Sequence, residues 1–184
     1  VGAGEQLVEF DLLDPEVEGA VRREEGIVGD DVHLQALRTP GDDLDLVRGF
    51  LATERVVERA SDIASLRHCS RAEDPEAADN VVRAVLRDGL AVDLDRLRRN
   101  VYATSSCGVC GKATIEDALA LAGPLADDAR FEAGWVATLG ARLEREQAVF
   151  ARTGGLHGAA LFDRAGRLRA AREDIGRHNA VDKV

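Results

Sequence analysis

The chain has 184 residues, of which 45% are hydrophobic and 32% charged, and a formal net charge of -10. That balance belongs to a folded domain rather than a disordered acidic tail, and no stretch approaches the about 18 uninterrupted apolar residues of a membrane-spanning helix. The acidic excess excludes a general nucleic-acid binder, which needs clustered Lys and Arg.

The charge is uneven. Residues 1–50 carry 13 acidic against 4 basic side chains, net -9, whereas residues 151–184 carry 7 basic against 4 acidic, net +3; the basic end suits a small anionic ligand. The N-terminus lacks the basic region and apolar core of a signal peptide. Three cysteines, an odd number without the spacing of a secreted scaffold, fit a reducing compartment, so a cytoplasmic location is expected. There is no methionine, even at position 1, and the chain is expected to be trimmed or incomplete at its front.

Residues 5–13 and 27–37 alternate apolar and polar positions as strands do, with Gly29-Asp30-Asp31 as a turn signal inside the second stretch. Leu37–Asp43 breaks the pattern. Leu44, Val47, Phe50 and Leu51 then recur at helical spacing behind an acidic first turn, which predicts a helix ending near Glu54. Strand-like runs follow at Ile63–Arg67 and Asn80–Leu86, then a short Leu90–Arg99 segment. Cys69, alone at the end of the first of these runs, reads as an inert, half-buried residue.

Ser105-Ser106-Cys107-Gly108-Val109-Cys110-Gly111-Lys112 holds two of the three cysteines in a glycine-flexible loop. A thiolate, not a thiol, attacks sulfur or binds metal, and a cation or a following helix N-terminus lowers the thiol pKa. Lys112 supplies the cation. Thr114, with Asp117 three residues on, starts a predicted helix to about Leu121 in a variant of the capping box. From residues alone, sulfur chemistry, half of a metal site and a structural pair are all open readings of Cys107 and Cys110.

Beyond Gly123-Pro124, Trp135, Val136, Leu139, Leu143, Val149 and Phe150 form the apolar stripe of one core helix, which Gly154-Gly155 ends. Leu156–Asp163 and Leu168–Arg172 read as paired strands across Arg164-Ala165-Gly166, and Gly176–Lys183 opens another helix. A strand pair followed by a helix start is the beginning of an α/β layer, so the second domain is expected to be cut short.

Four ordered blocks narrow the choice: Arg38-Thr39-Pro40-Gly41-Asp42-Asp43 with Gly49-Phe50-Leu51 and Thr53-Glu54; Ser105–Lys112; Thr153-Gly154-Gly155-Leu156-His157 with Ala159-Ala160-Leu161-Phe162; and Glu173–Lys183. Together they closely resemble the formate dehydrogenase accessory sulfurtransferases, the FdhD/NarQ family. The resemblance implies a sulfurtransferase that takes persulfide sulfur from a cysteine desulfurase and passes it to the bis-molybdopterin guanine dinucleotide cofactor before that cofactor enters formate dehydrogenase. It implies an α/β fold: a small α+β domain over residues 1–105, a cysteine loop and connecting helix over 106–130, and the first part of a cytidine-deaminase-like three-layer domain over 131–184. The family's usual homodimer is also implied, and roughly a third of the expected length is absent from the C-terminal side.

Cys107 is expected to be the primary sulfur carrier, with Cys110 as its partner. Cofactor-binding candidates are Arg38, Thr153, Gly154, Gly155, His157, Arg177, His178 and Asn179. The glycines permit close approach of a ligand, and a guanidinium, an imidazole and an amide in succession at a helix start suit pyrophosphate. Arg38, Asp42 and Asp43 read equally well as the turn that starts the helix. Cys107, Cys110, His157 and His178 add up to four zinc ligands, but their spacing lacks a second close pair and His157 is followed by Gly158-Ala159 rather than the His-x-Glu of zinc deaminases, so no metal is expected. Two other functions remain open: a cofactor-binding chaperone without sulfur transfer, and a thiol-disulfide oxidoreductase, which lacks the usual βαβ setting.

Overall fold

A computed structural model of the chain describes residues 7–13, 27–28, 31–69, 80–90, 92 and 129–184. The mixed α and β content expected from the sequence is present.

Strand β1 (Leu7–Leu13) lies at the centre of a five-stranded sheet with β2 (Ile27–Val28), β3 (Asp31–Leu37), β4 (Ile63–His68) and β5 (Val81–Leu86), in the order β2-β3-β1-β5-β4. β1 runs parallel to β3 and antiparallel to β5, while β2 pairs antiparallel with β3, Val28 opposite Asp31; the turn expected at Gly29-Asp30 lies outside the described residues. Residues opposite one another in a ladder share a face. Val8 faces Ala84, and with Leu12, Leu34, Val82 and Leu86 it lines one fully buried face. On the other face Glu9 pairs with Arg83 at 2.8 Å.

Helix α1 (Asp43–Thr53) covers the apolar face. Its buried residues Asp43, Leu46, Val47 and Leu51 repeat at the three- and four-residue spacing that makes one helical stripe. Its end is a Schellman closure: Val56 N–H donates to Leu51 O at 2.8 Å and Arg55 N–H to Ala52 O at 3.1 Å. Arg55 occupies the left-handed position, φ 56°, which glycine usually fills. Val56 and Val57 then return to the core. A single 3-10 turn, Ala60–Asp62, leads into β4. Buried Asp62 accepts from Glu58 N–H, Arg59 N–H and Arg87 Nη2, and the hydrogen bond from Arg87 is the main force holding its carboxyl below the usual range, against the opposing effect of burial. Cys69 lies one residue past β4, half-buried, its N–H donating to Val81 O.

The C-terminal residues form helix α2 (Ala133–Glu144), the one-turn helix α3 (Phe150–Thr153), the antiparallel hairpin β6 (His157–Phe162) and β7 (Leu168–Asp174), and helix α4 (Arg177–Asp182). The expected hairpin and final helix are present. The expected single core helix over 135–150 is not. It breaks after Glu144 and restarts at Phe150, and neither piece buries a residue fully. The break has a tertiary cause, because Glu173 on β7 takes the N–H groups of Val149 and Phe150. Phe131 stacks on Trp135 with ring centroids 5.5 Å apart, and Arg142 lies over the Phe162 ring at 4.9 Å.

Asp163 organises the hairpin turn, accepting from Ala165 N–H, Arg167 N–H and Arg167 Nε. The Arg167 backbone hydrogen bond leads the causes that hold its carboxyl below the ordinary range.

Candidate functional site

The first and last sequence blocks converge. Arg38 leaves β3 2% exposed, and its guanidinium meets the Asp43 carboxylate through Nε at 3.0 Å and Nη2 at 3.1 Å, with Asn80 Oδ1 3.0 Å from Nη2. This pair sets the turn between β3 and α1. Gly41 and Asp42 are both left-handed, φ 102° and 55°, so Asp42 makes no side-chain cap to its own helix. Its carboxylate instead reaches Arg172 Nε on β7 at 3.2 Å, while Arg172 Nη2 lies 3.3 Å from Asp45.

Asp174, fully buried at the end of β7, takes four donors. Thr39 N–H and Lys183 Nζ reach Oδ2 at 3.0 and 2.7 Å, and Gly176 N–H and Asn179 Nδ2 reach Oδ1 at 2.8 and 3.0 Å. Lys183, 3% exposed, also donates to Thr39 O at 2.7 Å, and Thr39 Oγ1 accepts from Ile175 N–H at 2.9 Å. A buried carboxylate is stable only when its charge and lone pairs are met in this way. The same joint continues down the helices: Thr53 Oγ1 bonds Asp182 Oδ1 at 3.0 Å, and α1 passes so close to α4 at Gly49 that a Cβ there would run into the Asp182 backbone carbonyl.

A second cluster surrounds the glycine arm after α3. Gly154 ends the helix in the left-handed conformation, φ 67°, with its N–H donating to Phe150 O at 2.7 Å. Thr153 Oγ1 donates to Val149 O at 2.9 Å and accepts from Gly155 N–H at 3.3 Å. Thr153, Gly154 and Gly155 are exposed, as is His157, which opens β6 directly opposite Asp174 in the ladder.

Of the residues singled out in the sequence, Cys107, Cys110 and Lys112 lie outside the described residues, as does the helix expected from Thr114. Arg38 and the side chain of Asn179 belong to the buried joint, where Asn179 Nδ2 also bonds Leu37 O at 2.8 Å. Arg177 and His178 are exposed on the first turn of α4. The ladder brings His157 beside Asp174, and Asp174 binds Asn179, so the arm and the α4 start meet at one end of the hairpin. Thr39, Asp174, Lys183 and Glu173 are the organising residues that the pattern of the sequence did not single out individually. Their signal was membership of the blocks themselves. Among the described residues, no group of three or more His, Cys, Asp or Glu side chains is placed to hold a metal ion, and no helix is long and apolar enough to cross a membrane.

The model of the FdhD/NarQ family matches residues 26–184, which include all four blocks. The chain belongs to the FdhD/NarQ family. It is 44% identical over 151 residues to the sulfur carrier protein FdhD of Mycolicibacterium paratuberculosis, covering 80% of this chain and 56% of that protein. The Mycobacterium tuberculosis protein of the same name is 44% identical over 154 residues, with the same two shares, and that of Streptomyces avermitilis is 45% identical over 152 residues, covering 80% of this chain and 54% of that protein. The chain thus spans about half the length of the curated relatives it matches. The family relationship gives the joint and the arm their context: both are made from the blocks that carry the resemblance.

Proposed function

We propose that this chain carries sulfur on the Cys107–Cys110 loop, taking it from a cysteine desulfurase and delivering it to the bis-molybdopterin guanine dinucleotide cofactor destined for formate dehydrogenase. The observation that carries this reading is the family match across residues 26–184, which includes the cysteine pair, to relatives named sulfur carrier proteins. In the first step the Cys107 thiolate attacks the outer sulfur of the donor persulfide. The new S–S bond forms as the donor's S–S bond breaks, and the donor cysteine leaves as thiolate. In the second, the Cys110 thiolate attacks the inner sulfur of the Cys107 persulfide and hydrosulfide departs to the molybdenum substrate. A Cys107–Cys110 disulfide remains, and a cellular dithiol reduces it for the next cycle.

The exposed His157, Arg177 and His178 face the pyrophosphate of the cofactor in this reading, supported by the net +3 of residues 151–184. Arg38, Asp174, Asn179 and Lys183 hold those groups in place from inside. The test is formate dehydrogenase activity in a strain whose only family member is this chain. Activity that survives replacement of both Cys107 and Cys110 by serine refutes sulfur relay through the loop.

A further inference from the structure

The joint and the hairpin hold the body of the site, but the glycine arm is held differently. α2 and α3 bury no residue fully, so core packing does not fix the arm. α3 has only four residues and no side-chain cap from its own N-cap residue, and a single turn is not stable by itself. One carboxylate on the neighbouring strand caps its start. Glu173 Oε1 accepts from Phe150 N–H at 2.7 Å and Oε2 from Val149 N–H at 2.9 Å.

From those two peptides the hydrogen bonds run directly to the arm. Phe150 O accepts from Gly154 N–H, and Val149 O accepts from Thr153 Oγ1, which in turn accepts from Gly155 N–H. The Glu173 rung of the hairpin is also where the preceding linker docks. Gly158 stands opposite Glu173, and Gln147 lies against it so closely that a Cβ at Gly158 would meet the Gln147 carboxamide. Linker and helix start are therefore pinned at one rung, three residues ahead of the arm.

We propose that Glu173 is the positioning residue of the Thr153-Gly154-Gly155 arm, acting through α3 and not by touching the ligand. This rests on the reading of the arm as a cofactor-facing element, and it adds the residue that sets where the arm stands relative to His157. Both glycine N–H groups are engaged, Gly154 by the Phe150 carbonyl of α3 and Gly155 by Thr153 Oγ1 within the arm. The Gly155 bond to Thr153 Oγ1, at 3.3 Å, is the longer, and a hydroxyl rotor can release it to an incoming phosphate while Gly154 stays anchored.

Amide hydrogen exchange on the 184-residue chain tests the proposal without depending on ligand binding. Glu173→Ala should raise exchange at Gly154 and Gly155 about tenfold or more, leaving the sheet amides of Val82 and Leu86 unchanged. Glu173→Gln, which keeps one acceptor oxygen, should restore part of the protection. Gly158→Ala, which displaces Gln147 from the same rung, should loosen the arm in the same way. Unchanged exchange at both glycines in Glu173→Ala, or a rise matched at Val82 and Leu86, overturns the positioning role. Guanosine diphosphate titrated into parent and Glu173→Ala gives the functional arm, with an affinity loss of about tenfold expected in the variant. A parent that binds no guanosine diphosphate counts against the cofactor-facing reading alone, and the exchange result still decides the role of Glu173.

Discussion

Lys183 Nζ lies 2.7 Å from Asp174 Oδ2, with both side chains closed off from solvent, and this pair bonds the last helix to the loop that starts the first. Removing one member of a buried pair leaves the other charge uncompensated, at a cost of about 3–5 kcal/mol. Lys183→Met should therefore lower unfolding stability in urea by that amount. Asp174→Asn in the Lys183→Met background should recover part of the loss, because no charge is then stranded. A loss below about 1 kcal/mol in the single variant, the range of an exposed pair, contradicts the joint.

Gly49 is placed to test the contact between α1 and α4. A methyl group there meets the Asp182 carbonyl, so the usual gain in helix propensity of about 1 kcal/mol for Gly to Ala should be outweighed by the cost of overpacking, about 1–3 kcal/mol or more. Gly49→Ala should lower the denaturation midpoint. A stabilised Gly49→Ala protein would show that the helices do not meet at this position.

Arg55 holds a left-handed backbone in the closure of α1, where Leu51 and Val56 are both buried. The penalty for a residue with a Cβ is about 1–2 kcal/mol, partly offset in glycine by about 0.5–1 kcal/mol of extra chain entropy. Arg55→Gly should raise stability by about 0.5–1 kcal/mol, read as a higher thermal midpoint. Destabilisation would mean that the arginine side chain contributes more than its backbone costs.

Acid should weaken the fold partly through Asp163 and Asp62, whose carboxyls are held below their ordinary values. A depressed folded-state pKa means the unfolded chain binds more protons, so stability rises with pH. That contribution is complete above the unfolded value of about 3.9 and is lost as pH falls through the depressed one. Asp163→Asn should flatten the acid limb below about pH 4 and leave the pH dependence above it unchanged. Identical acid limbs in parent and variant contradict the role of the hairpin turn.

The local elements were legible because they follow local rules. Period-two alternation marked β1 and β3, the spacing of Leu44, Val47 and Leu51 marked α1, and Gly154 marked a helix end. The break between α2 and α3 was not legible. Glu144-Arg145-Glu146-Gln147 is good helix sequence, and the acceptor that ends the run, Glu173, lies on a strand 24 residues from Val149. The same holds for the joint. Thr39 and Asp174 are 135 residues apart, and no periodicity reports such a pairing, although each lies in a block whose residues the family resemblance had already grouped. Arg177, His178 and Asn179 looked alike as ligand groups, yet helical rotation turns Asn179 inward to Asp174 and leaves the other two exposed.

Sulfur carriage by Cys107 and Cys110 is decided by intact-protein mass spectrometry after incubation with a cysteine desulfurase and cysteine. The expected result is a mass increase of one sulfur atom, mapped by peptide analysis to Cys107 or Cys110, removed by a thiol reductant and absent from the Cys107→Ser, Cys110→Ser double variant. Cys69→Ser should gain the same adduct as the parent. No adduct on the parent, or one that persists in the double variant and maps to Cys69, would contradict it.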